Sequence, residues 1–103
     1  MNPLSVCTTI GALLSYDDSA GLSVYRRYGT GPWIASWAKN LRGDLVAYAS
    51  ASSPDAAIEA LADALVDKAR VEADRLAHGD ADDQALAHAI VLTIATAEEA
   101  RAA

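Results

Sequence analysis

Leu45–Leu65 reads LVAYASASSPDAAIEALADAL, and the change of period inside it decides the fold. Up to Ala51 the run reads as a strand. After Ser53 the apolar residues recur at helical spacing. Ser53-Pro54-Asp55 marks the boundary. The Ser53 hydroxyl is placed to accept an orphan backbone N–H as an N-cap. Pro54 falls at the first helical position, where its missing N–H costs nothing. Asp55 sets a negative charge on the positive end of the helix dipole.

Downstream, Ile58, Leu61, Leu65, Ala69 and Leu76 trace an apolar stripe, with Ala62 and Ala73 beside it. This predicts a helix over 54–78, ending near His78-Gly79 with Gly79 as the left-handed residue beyond the cap. Asp80 or Asp82 then caps a second helix over 82–101. Leu86, Ile90 and Ile94 line one face of that helix, and Val91 and Leu92 widen it. So broad an apolar face predicts burial on two sides, one of them a second copy in a homodimer.

Upstream, residues 4 to 16 alternate. Leu4, Val6, Thr8, Ile10, Ala12, Leu14 and Tyr16 fall on one side, Ser5, Cys7, Thr9, Gly11, Leu13 and Ser15 on the other. Period two with β-branched residues predicts a strand, with Gly11 marking a bulge. Asp17-Asp18-Ser19-Ala20-Gly21 is turn chemistry. Further strands are expected over 22–28, 33–39 and 45–51. Leu22 and Val24 oppose Ser23 and Tyr25, and Trp33, Ala35 and Trp37 share a face. Connections of about five residues favour antiparallel hairpins. The expectation is one α+β domain over 1–103: a four-stranded antiparallel sheet over about 4–51, one face covered by the first of two helices that follow it.

Composition bounds the function. The 103 residues are 52% hydrophobic, much of it alanine, with no Phe, so two Trp and four Tyr must supply core volume. Net charge is −6, which disfavours a nucleic-acid binder held by phosphate contacts and favours a basic partner. The single cysteine, Cys7, excludes an internal disulfide, and a reducing, cytoplasmic setting fits. The longest apolar stretch, Ala85–Ala97, is too short to span a bilayer, so no membrane role is expected.

The charges are unevenly placed. Eleven of the fourteen acids follow Ser53, giving that half −7 and the first half +1. Asp55, Glu59, Asp63 and Asp67 recur every four residues, which makes a row of carboxylates about 6 Å apart along a helix. The row lies away from the Ile58/Leu61/Leu65 stripe. It reads either as an ordinary solvated face or as a strip that docks on a basic surface. Tyr25, Arg26, Arg27 and Tyr28, with Trp33, Trp37, Lys39 and Arg42, form the opposite kind of cluster. Such residues stack single-stranded bases, anchor protein interfaces, or fill a core.

No catalytic motif is present: GxSxG, HExxH, P-loop and GxGxxG are all missing. Cys7 sits among apolar neighbours with no base nearby in sequence. His78, His88, Asp80, Asp82 and Asp83 match no metal-ligand spacing and are explained by helix-terminus polarity. Neither a metal nor a cofactor is expected, and the chain reads as a non-enzymatic binding module.

The Leu45–Leu65 run resembles a cassette of HicB-type antitoxin domains and of many small phage proteins. In it a strand ends in small residues, Ser-Pro-acid opens an Ala-rich helix, and a Trp-bearing strand, here Trp33–Ala38, lies upstream. The chain departs from the HicB pattern: it has no ribbon-helix-helix or helix-turn-helix segment after the core and no Pro-Gly turn. A short, acidic, Ala-rich chain without catalytic motifs also resembles the small phage and mobile-element inhibitors of bacterial defence systems, anti-CRISPRs among them. These resemblances transfer no functional residue. They imply a protein whose partner is a basic host protein or complex, or a small basic toxin that it masks. Single-stranded nucleic-acid binding by the aromatic half, and a structural role in a larger assembly, are the remaining readings. A homodimer through Leu86, Ile90 and Ile94 is compatible with each.

Overall fold

A computed structural model describes residues 2–15, 20–40 and 42–102. The chain is α+β, with three helices and a three-stranded antiparallel sheet: α1 (Pro3–Leu13), β1 (Gly21–Arg26), β2 (Trp33–Ala38), β3 (Leu45–Ala51), α2 (Pro54–Leu76) and α3 (Ala81–Ala102). The sheet order is β1-β2-β3, a simple meander.

The first segment corrects the expected fourth strand: it is a helix. Asn2 caps it, its Oδ1 accepting from the Ser5 N–H at 2.8 Å, and Pro3 occupies the first turn. An alternating set is also two interleaved rows four residues apart, and four is close to a helical turn. Leu4, Thr8 and Ala12 make one such row and are exposed, while Val6 and Ile10 belong to the other and are fully buried. Cys7 and Gly11 complete the buried stripe.

Gly11 marks no bulge. It lies mid-helix because the Trp37 indole occupies the space of its side chain: a Cβ there would come within 2.3 Å of the ring. Trp37 Nε1–H then donates to Ser15 Oγ at 3.0 Å, and Ser15 donates to the Gly11 carbonyl at 2.8 Å. One aromatic thereby ties α1 to β2. The turn expected over 17–21 begins outside the described residues.

The three predicted hairpin strands form. Tyr28 does not extend the first of them, because β1 ends at Arg26 and Arg27–Gly29 make a kinked single turn. Leu22, Trp37 and Ala47 stand in register across the sheet, followed by Val24, Ala35 and Ala49. These rows make the inner face, which α2 crosses over β3 and β2. Asn40 shapes the second turn, its Oδ1 accepting from the Arg42 N–H at 3.0 Å, and Gly43 takes a positive φ of 81°.

Ser53 caps α2 as its sequence predicts: its Oγ accepts from the Ala56 N–H at 3.2 Å. Gly79, however, is not the left-handed terminator. The helix closes through Ala77 in right-handed geometry, and only Tyr28, Gly29 and Gly43 have positive φ among the described residues. Glycine is needed at 79 because a Cβ would lie 2.2 Å from Asp83 Oδ2 in the first turn of α3. Asp80 caps α3, accepting from the Asp83 N–H at 2.9 Å.

The core joins all these elements. Val6, Cys7 and Ile10 from α1 meet Ala35, Trp37 and Ala47 from the sheet, Leu61, Leu65 and Leu76 from α2, and Ile90 and Ile94 from α3. The last two, with the partly buried Leu86, are the residues expected at a dimer interface. They are instead buried within this chain, because α3 turns its broadest apolar stripe onto α2 and α1. Val91 and Leu92 remain exposed.

Candidate functional site

The acidic row is where its spacing puts it. Asp55, Glu59, Asp63 and Asp67 are all exposed on α2, while Ala57, Leu61, Leu65 and Ala69 turn inward. A step of four residues advances 40° around a helix axis, so the row starts beside the buried stripe and winds outward. Near Asp67 it meets α3. Arg70 lies 3.8 Å from Asp67 and pairs with Glu98 across the α2–α3 seam. One guanidinium is thus shared by two carboxylates, and the strip widens by one acid from the neighbouring helix. All three side chains are half-exposed or more, so these pairs add little stability.

Glu72 of α2 lies outside the row and is held by an arginine of its own helix. Arg75 donates from Nε to both Glu72 oxygens at 3.2 Å. That bond, aided by the positive charge and opposed by partial burial, holds Glu72 below the usual carboxylate range.

Of the aromatic and basic residues expected as partner contacts, Tyr25, Arg26 and Tyr28 do not share one face. Tyr25 lies on the outer face of the sheet, opposite Ile34, which is opposite Ser50. Tyr28 stands 88% exposed at the hairpin tip, with a left-handed φ of 57°. Arg26 belongs to the inner register beside Trp33, its guanidinium 5.7 Å from the ring centroid and its Nε donating to the Gly31 carbonyl at 3.1 Å. It therefore braces the hairpin. The side chain of Arg27 lies outside the described residues. Trp37 is in the core, only 4% exposed, and Trp33 packs against it.

The sequence reading missed Tyr48. It sits directly opposite Ser36 on the outer face and is 68% exposed. With Tyr25 it flanks the central strand, one tyrosine on each edge strand of an open face. The signal was the alternation within β3, which puts Ala47 and Ala49 inward and Tyr48 outward.

The Cys7 thiol is buried and donates to the Ile58 carbonyl at 3.5 Å. His78 and His88 are exposed, Asp80 is engaged as a cap, and among the described residues no three His, Cys, Asp or Glu side chains converge to hold a metal. Among the described residues, no helix is long and apolar enough to cross a membrane. No protein-family model, curated protein or solved structure matches the chain, so its surface geometry is the basis for a functional reading.

Proposed function

We propose that this chain is a non-enzymatic protein-binding module, of the kind used by phages and mobile elements, that inhibits a host nucleic-acid-handling complex by covering a basic surface. The observation that carries the reading is the exposed carboxylate strip Asp55–Glu59–Asp63–Asp67, joined by Glu98 across the helix seam. Like charges at this spacing repel by a few tenths of a kcal/mol per pair. A partner rich in Lys and Arg turns that repulsion into attraction and is steered toward the strip over the range of a Debye length.

The test replaces all four carboxylates with Lys and compares capture from bacterial lysate with wild type. Wild type is expected to retain a basic, nucleic-acid-handling complex that the reversed variant loses, with helical circular dichroism and melting cooperativity preserved in both. A partner held equally by both proteins would sink the strip and move the contact elsewhere. Masking of a small basic toxin would use the same strip, and a toxin encoded beside this chain distinguishes that role.

A second reading rests on a separate observation. Tyr25 and Tyr48 on an open sheet face suit single-stranded bases, which stack on aromatic rings. The charge of −6 opposes it. A low-salt gel shift with single-stranded oligonucleotides that shows no complex disposes of it.

A further inference from the structure

α2 and α3 run antiparallel, and alanines form much of their contact. Ala73, Ala87 and Ala97 are each under a tenth exposed, which leaves an open furrow along the outer seam. The furrow has two halves. Toward the interhelical turn it is lined mainly by Ala73, Ala77, Ala87, His88 and Val91, with Asp74 at its edge. Toward the other end it is lined by Asp63, Val66, Asp67, Arg70, Ala97 and Glu98. Arg70 lies within this acidic half, its guanidinium on Asp67 and Glu98.

We propose that this furrow seats one amphipathic helix of a partner protein, apolar over one half of its length and basic over the other. The inference rests on the acidic-strip reading and gives it a shape. Asp63 and Asp67 are two members of the strip, and they are also one wall of the furrow. Val91, 54% exposed and bordered by small residues, gives the partner's apolar half a surface. Arg70 occupies part of the acidic half, a guanidinium laid between carboxylates of two helices, and with Asp63, Asp67 and Glu98 around it that half stays net acidic and favours a basic occupant. From residue 63 to residue 77 of α2 the furrow is about 21 Å long, which matches a helix of about fourteen residues. A second copy of this chain fits poorly, because each copy carries −6 and would bring its own acidic wall.

The test uses a fourteen-residue peptide with leucines at helical spacing in one half and arginines at helical spacing in the other. Its control is a peptide of the same composition with the order shuffled around the helix. By fluorescence anisotropy the ordered peptide is expected to bind on the order of tenfold tighter than the shuffled one. Val91→Asp should erase that difference while leaving the weaker, salt-sensitive binding common to both peptides. Val91 is exposed, so the variant should keep its fold. Ala77→Arg, which fills the same half from the other helix, is the second variant and should act alike.

Equal binding of both peptides, unchanged by either variant but lost on reversal of the four carboxylates, overturns the furrow and leaves the strip standing. Binding that survives the reversal overturns the strip and the furrow with it. A wild-type dimer in sedimentation that Val91→Asp converts to monomer assigns the furrow to a second copy and overturns the proposal.

Discussion

A methyl group at position 11 would sit inside the Trp37 indole. Two effects of Gly11→Ala therefore oppose each other. Alanine gains about 1 kcal/mol over glycine inside a helix. Forcing a group into a filled core costs about 1–3 kcal/mol, and a 2.3 Å approach to a buried ring belongs at the upper end. The ring cannot retreat without giving up the Ser15 hydroxyl. Packing should win. Gly11→Ala is expected to lower stability by about 1–2 kcal/mol in urea melts, whereas helix propensity alone demands an increase. The sign of the change settles which account of residue 11 holds.

Among the elements, α2 was legible from its first three residues and α1 was not, although both open on the same chemistry. Ser53-Pro54-Asp55 offers a cap, a proline and an acid. Asn2-Pro3 offers the first two and no acid in the first turn. Alternation with Thr8 and Thr9 then outweighed the cap, since the rows of a short helix four residues apart fall on alternate positions. The β1–β3 hairpins were readable because their faces genuinely alternate: Leu22 and Val24 pack on the core while Ser23 and Tyr25 are exposed. The dimer face was misassigned for a different reason. Periodicity shows that α3 has an apolar side but not what covers it, and here the cover is α2 and α1. Exposure of the acidic row was legible; its meeting with Glu98 was not, because that depends on how two helices pair. The helical reading of the first segment has its own check. Asn2→Ala should cost about 1 kcal/mol and reduce helical circular dichroism. A strand there would leave both unchanged.

At the scale of the whole molecule, charge and aromatic surface are divided between two sides of one layer. α2 crosses the inner face of the sheet and carries the strip on its solvent side, whereas Tyr25 and Tyr48 stand on the outer face. A compact partner seated on the strip cannot reach the tyrosines through the intervening helix and sheet. Distant surfaces that share no contacts act independently, with energies that add within about 0.5 kcal/mol. Tyr25→Ala with Tyr48→Ala should therefore leave affinity for a strip-bound partner unchanged and leave its salt dependence intact. Reversal of the four carboxylates should remove both. If the tyrosine pair instead weakens the same partner tenfold or more, the partner must wrap the sheet edge and touch both sides. A small helix in the α2–α3 furrow could not do so, and the binding surface would have to be redrawn around the open face of the sheet.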